Sequence, residues 1–229
     1  MANVTVTDHA VTYDPVTAPS PTLGPVIGRA LSGGVAVSDN GTDHRIIDAV
    51  IAELLVTPLR KVALEDVARR AGVTRMTVYR RFGDREHLIE ATFAREVARF
   101  LEGVSAAGDL EAEPTERIAT TFATALGLAH SHPVVAHWLA TSPGDLLETI
   151  LADDAFIVAA GSAFIASSIG EMSPLRTPAE VEPQRSGELI ARLFAALVLM
   201  PTTSVDLTDA DQARRLAREL IAPLIVPAA

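Results

Sequence analysis

The stretch from Leu64 to Phe82, LEDVARRAGVTRMTVYRRF, limits the possible folds more than any other part of the chain. It reads as two short helices separated by a sharp turn. Val67, Ala68 and Ala71 share one side of the first helix, because side chains three and four apart lie on one face. Gly72 supplies the turn, since a residue without a Cβ adopts positive φ at little cost. Thr74 is placed to cap the second helix by accepting from its unpaired N–H groups. Ala68 is small where two steeply crossed helices must approach, and Val73 and Val78 fill the angle between them. Together these features describe a helix-turn-helix, a unit whose second helix enters the major groove of DNA.

The run VARRAGVTRMTVYRRFGDREHLI resembles the DNA-binding motif of the TetR family of bacterial transcription regulators, over about sixty residues from His44 to Gly103. AGVTRMTVYRRF is its most specific part, flanked by the expected preceding helix and the expected long following helix. Two positions depart from the family pattern. Ala63 stands where a capping Thr or Ser is common, and Arg81 stands where an aromatic residue or His often lies between Arg80 and Phe82. The resemblance implies an all-α chain, with an N-terminal helix-turn-helix DNA-binding domain followed by a helical ligand-binding and dimerisation domain.

The charge balance looks unsuited to a DNA partner until it is divided along the chain. The net charge is −10, yet Asp43 to Arg85 holds nine basic and six acidic residues, or +3. The remainder has ten basic and twenty-three acidic residues, or −13. One basic end on an acidic body attracts phosphate locally and disfavours docking the wrong way round. With 48% hydrophobic residues the chain can bury a sizeable core. It has no cysteine, which excludes disulfide and thiolate chemistry and fits a reducing cytoplasm. No basic region leads into an apolar stretch at the amino terminus, so no signal peptide is expected. The longest run free of Asp, Glu, Lys, Arg and His, Ala155 to Gly170, is short for a bilayer, so no membrane partner is expected.

Residues 1–41 contain Pro15, Pro19, Pro21 and Pro25 and are expected to form an unstructured arm. Arg29 is its only basic residue, which argues against an arm embracing DNA. The DNA-binding domain is assigned to 42–103, including a connecting helix, and the effector-binding and dimerisation domain to 104–229. Thr42 or Asp43 is the expected cap of the first helix, whose stripe is Ile46, Ile47, Val50, Ile51, Leu54 and Leu55. Pro58 ends that helix, and Asp84 is expected to cap the connecting helix. Further helices are expected from Pro114 to about Ser131, from Pro133, and from Leu146 to Ile169 with an interruption at Gly161. Pro174, Pro178 and Pro183 mark a loop, and Pro223 should kink or end the last helix.

Recognition is expected from Thr74 to Arg80. Thr74 and Tyr79 are candidate phosphate contacts, which position a helix without reading sequence. Arg75, Met76, Thr77 and Arg80 are candidates for the groove, where Arg bonds guanine and a methyl group packs on thymine. Arg85 stands where the family usually has a Lys that neutralises a phosphate, and Arg45 and Lys61 add weaker contacts. Arg69 and Arg70 read as a solvated face.

The resemblance implies an effector pocket within the body. The residues assigned to it are Phe122, Leu126, His130, His137, Trp138, Leu147, Phe156 and Phe164, with Thr124, His132 and Ser162 as further polar groups nearby. Such a set suits a mainly hydrophobic small molecule with one or two polar handles. The resemblance also implies a homodimer through the two terminal helices, along Leu189, Leu193, Leu197, Met200, Leu216, Leu220 and Leu224. Pro133 breaks the register between His130 and His137, so no metal site is assigned, and no cofactor is expected.

The chain therefore reads as a regulator, most simply a repressor that binds a palindromic operator as a dimer and releases it on binding a small molecule. A regulator without a natural effector is the alternative. An enzyme on a borrowed fold is remote, because there is no nucleophile elbow, phosphate loop or Ser/His/Asp set.

Overall fold

A computed structural model describes residues 41–171, 182–200 and 205–226, with the backbone alone at 145, 148–157, 160 and 171. Apart from Gly41, the expected arm lies outside the described residues, as do Pro174 and Pro178 of the expected loop. All regular structure among the described residues is helical. It comprises α1 (Gly41–Leu54), a 3-10 turn (Leu59–Lys61), α2 (Leu64–Ala71), α3 (Arg75–Phe82), α4 (Arg85–Asp109), α5 (Pro114–Ser131), α6 (Pro133–Thr141), α7 (Pro143–Glu171), α8 (Pro183–Leu199) and α9 (Ala210–Leu216). No described helix is long and apolar enough to cross a membrane.

Local chemistry sets most of these boundaries. Gly72 ends α2 at φ 66°, in the left-handed region where a Cβ is penalised. The Thr74 hydroxyl accepts from the Thr77 N–H at 3.1 Å, and Asp84 accepts from the His87 N–H at 2.9 Å. Ala63 offers α2 no side-chain cap, as its sequence position implied. Pro114, Pro133 and Pro183 each sit in a first turn, where their missing N–H costs nothing. Two expectations are corrected. Gly161 does not interrupt α7, because it lies against Ala191 of α8 and packing offsets the roughly 1 kcal/mol helix penalty of glycine. Asp43 sits within the first turn of α1, buried against Arg81 of α3 at 2.5 Å. Before Pro223 the last helix widens into a π turn (Ala217–Ile221) and then tightens into a 3-10 turn (Ala222–Leu224).

Two apolar cores result. The first joins Ile46, Val50 and Leu54 of α1 to Val67 and Ala68 of α2, Val78 of α3, and Leu88 and Ile89 of α4. It also takes Val134 and Trp138 from α6 and Leu146 from α7. The second core lies in the body, around Phe122 and Leu126 of α5, Ile169 of α7, Ile190 and Val198 of α8, and Ile221. Helix α4 runs unbroken through residue 103, contributes Leu88 and Ile89 to the first core, and sets Phe100 beside Phe194 at the edge of the second.

Candidate nucleic-acid interface and interior cavity

The geometry of α3 follows from one buried residue. Val78 is fully buried between α2 and α4, so its neighbours must point outward. Met76 is 63% exposed and Tyr79 58% exposed, unusually high values for such side chains. Thr74, Arg75 and Arg80 are also exposed, and Thr77 is half-buried beneath them. The Thr74 and Thr77 hydroxyls lie 2.9 Å apart. The outward residues form a contiguous face of two cations, a phenol, a thioether and a hydroxyl. That composition can bond phosphates, donate to guanine and pack against thymine methyls.

Ion pairs divide the arginines around this face by role. Arg75 pairs with Glu65 at 2.9 Å, but both are more than half exposed, so exchanging Glu65 for a base edge costs at most about 1 kcal/mol. Arg45, Lys61 and Arg80 carry no ion pair among the described residues and can meet phosphate directly. Arg81 is committed to Asp43, which accounts for a cation at this unusual position. Arg70, expected to be solvated, instead binds the buried Glu53 of α1 at 2.7 Å. Arg69 matches the expectation, pairing only with exposed Asp66 of its own helix.

Arg85 differs from the expected free phosphate partner. Its Nε donates to the Val62 carbonyl at 2.8 Å and its Nη2 donates to the Leu59 carbonyl. It therefore clamps the 3-10 turn that carries Lys61. Only Nη1, 3.3 Å from exposed Glu86, faces outward. The Leu59 carbonyl also accepts from the Val62 N–H at 3.3 Å, and its second lone pair is open to the guanidinium.

Arg95, which no sequence pattern singles out, is buried and binds Asp48 of α1 at 2.7 Å and neighbouring Glu96 at 2.8 Å. Glu96 also meets the His132 ring at 3.3 Å. Burial opposes ionisation of Glu96, but hydrogen bonds from His132 and Arg95 outweigh it and hold the carboxyl below its usual value. This chain of contacts joins α1, α4 and the α5–α6 junction.

A cavity of about 570 Å³ occupies the body between α4, α5, α7, α8 and the C-terminal turns. Of the residues assigned to a pocket from sequence, Phe122 and Phe164 line it. The side chain of Phe156 lies outside the described residues. The others are corrected. Leu126 is fully buried in the second core, and Trp138 is buried in the first, because the apolar side of short α6 faces the DNA-binding unit. Leu147 is exposed. His137 is half-buried and donates no lining atom to the cavity. His130 borders a separate hollow beside Leu207, where neither buried ring nitrogen has a hydrogen-bond partner among the described residues. Among the described residues no three His, Asp or Glu side chains converge as a metal would require.

The sequence reading missed the α4 side of the cavity, formed by Val97, Phe100, Leu101 and Val104. The broad apolar face of α4 was the available signal. Phe194 stands at the centre of an aromatic group, with ring centroids 6.2 Å from Phe122 and 6.1 Å from Phe100. Val97 lines the cavity and also packs on the first core, so the two compartments share a wall.

The expected dimer residues divide into two groups. Leu193, Leu197, Leu216 and Leu224 are half-buried against their own second core, while Leu189, Met200 and Leu220 project outward. Spacing by four drifts around a helix with 3.6 residues per turn, so Leu193 and Leu197 rotate inward. Leu189 and Met200, about three turns apart, return to one outer line.

The sequence pattern of the family described as bacterial regulatory proteins, tetR family, matches residues 46–92. The HTH-type transcriptional regulator AlkX of Mycobacterium tuberculosis is 30% identical over 209 residues, covering 90% of this chain and 93% of the relative. A second regulator of that organism, named only as an HTH-type transcriptional regulator, is 27% identical over 186 residues, covering 80% of this chain and 85% of its own. The crystal structure of the TetR family repressor AlkX from Dietzia sp. strain DQ12-45-1b, implicated in n-alkane biodegradation, has the same fold. Its TM-score is 0.55 at 22% identity, covering 82% of this chain and 96% of that one. The fatty acid degradation regulator FadR from Bacillus halodurans shares the fold at a TM-score of 0.57 and 15% identity, covering 79% and 96%. With the helix-turn-helix, the all-helical body and a relative of this identity over nearly its whole length, the chain belongs to the TetR family of bacterial transcription regulators.

Proposed function

We propose that the protein is a cytoplasmic repressor that binds a palindromic DNA operator as a homodimer and leaves it when a small hydrophobic molecule enters the body. The observation that carries this reading is the shared wall between cavity and DNA-binding core. Val97 touches both, and on α8 Val198 lines the cavity while Leu199, the next residue, packs on the first core. A ligand that fits the cavity better in one position of α4 shifts the population toward that position, and the shift is limited by its difference in affinity. Two copies of α3 must be one helical repeat apart to read both half-sites, so a change in the inclination of α4 alters DNA affinity. Leu189, Met200 and Leu220 supply exposed apolar surface for the second copy.

Fluorescence anisotropy on the DNA upstream of the protein's own gene tests the reading, with a scrambled duplex as control and salt varied. The expected result is tight binding to the first duplex only, with a dimer by light scattering. A monomer that binds neither duplex at low salt would overturn the proposal.

A further inference from the structure

We propose that Glu65 sets the base preference of the recognition helix, turning Arg75 away from phosphate and toward a guanine in the major groove. This inference rests on the reading of α3 as the element that enters the groove, and it adds a positioning residue on α2.

The first argument is charge. Arg75 Nε lies 2.9 Å from Glu65 Oε1, and the two side chains are 67% and 56% exposed. Arg45, Lys61 and Arg80, around the same face, have no such partner among the described residues. A guanidinium that approached a phosphate would bring the Glu65 carboxylate with it, and the two anions repel. The major-groove edge of a base pair carries no net charge and offers guanine N7 and O6 as acceptors, so it can take Arg75 with its partner in place. The unpaired cations are left for the backbone and the paired one for a base.

The second argument is which edge of Arg75 stays open. Glu65 stands on the Nε side, and Nη1 and Nη2 have no partner among the described residues. Those two nitrogens form the fork that guanine receives bidentately. An exposed arginine otherwise spreads over many rotamers, and a carboxylate on one side narrows that spread before DNA arrives.

The third argument is place. Arg75 is the first residue of α3, directly after the cap Thr74, whose hydroxyl accepts from the Thr77 N–H. The N-terminal residues of a recognition helix are the ones that reach base edges. Glu65 lies in the first turn of α2, and the crossing of the two helices sets it beside that end of α3. As a helix-terminal charge Glu65 is duplicated by Asp66, which shares its turn and pairs instead with Arg69 of its own helix. An exposed ion pair adds little to stability, and an acid at a DNA face opposes the phosphates. Discrimination between bases accounts for it better than folding does.

Selection of duplexes from a random pool by the full chain supplies the test. Anisotropy follows on the best-bound duplex and on its single-pair replacements, with native, Glu65→Gln and Arg75→Ala proteins. The native protein is expected to lose about tenfold or more when one G·C pair of each half-site is replaced. Glu65→Gln should cut that penalty to about threefold or less, leave the other positions unchanged, and bind a scrambled duplex about threefold tighter. Arg75→Ala should erase the penalty at the same pair. A Glu65→Gln protein that keeps every penalty overturns the assignment, as does one that relaxes a pair Arg75→Ala leaves alone. Uniformly weaker binding by Glu65→Gln would show a structural role and overturn it too. Methylation interference needs no variant: one guanine N7 per half-site should block native binding when methylated, and the absence of any such guanine overturns the proposal. A native protein that selects no sequence would refute the operator reading itself, whereas selection that survives Glu65→Gln unchanged refutes this inference alone.

Discussion

Replacing Arg85 separates two roles that its position in the family motif merges. The structure places two donor bonds from its guanidinium on the Leu59 and Val62 carbonyls, with the side chain 22% exposed. Charge-assisted bonds contribute about 1.5–3 kcal/mol each when shielded. Water can reach the Leu59 side after truncation, so the combined loss in Arg85→Ala is estimated at about 2–3 kcal/mol. For a chain of this size each kcal/mol moves Tm by about 2–4 °C, which gives a fall of about 4–12 °C at fixed protein concentration. Arg85→Lys keeps the charge but cannot span both carbonyls, so it should lose about half that stability. On DNA the two variants should part. Lysine preserves the slope of log affinity against log salt, whereas alanine lowers it by about one. Circular dichroism melts and anisotropy at several salt concentrations give both quantities. An alanine variant that melts with the native protein would refute the clamp. A lysine variant that loses salt slope would refute the phosphate role.

Tyr79→Ala and Thr77→Ala should each weaken operator binding by about tenfold while the melt stays within a few degrees, since Tyr79 is on the outward face and Thr77 lies just beneath it, its side chain bonded only through the hydroxyl to Thr74. Anisotropy paired with a melt checks this. Gly187→Ala would put a Cβ 2.6 Å from the Ser162 carbonyl oxygen and 3.1 Å from the Ala166 nitrogen. Backbone cannot yield as a side-chain tip does, so α7 and α8 must part at a cost of about 1–3 kcal/mol, read as a lower Tm. The His87 ring is raised above its ordinary value of 6.5 by its hydrogen bond to Asp84, whose own carboxyl is lowered chiefly by accepting from the His87 N–H. The support this imidazolium gives the α4 cap is therefore complete below pH 6.5 and fades as pH rises through the elevated value. An NMR titration of His87 should show that elevation, and Asp84→Asn should abolish it.

The helix-turn-helix was legible because each constraint in it is local. Gly72 needs positive φ, Thr74 caps over three residues, and Val78 has one inner face. The helices opened by Pro114 and Pro133 were legible for the same reason. The cavity was not, because periodicity shows that a helix has an apolar side without naming what that side meets. Trp138 and Leu126 carry the signature of pocket residues, yet one entered each core. The ties of Arg81 and Arg70 to buried carboxylates escaped notice because their partners lie thirty-eight and seventeen residues away.

Those distant ties decide which motions the molecule can use. Asp43 holds α3 to α1, Glu53 holds α2 to α1, and Arg95 holds α4 to α1 through Asp48. Uncoupling either buried carboxylate from its arginine strands a charge away from water, so the three helices and the start of α4 share one rigid frame. The recognition helix thus has no private degree of freedom. In the proposed dimer each reading head is a fixed die, and a ligand in the body could alter only the pitch between two such dies. Affinity for an isolated half-site should then be indifferent to whatever fills the body, with only paired half-sites registering it.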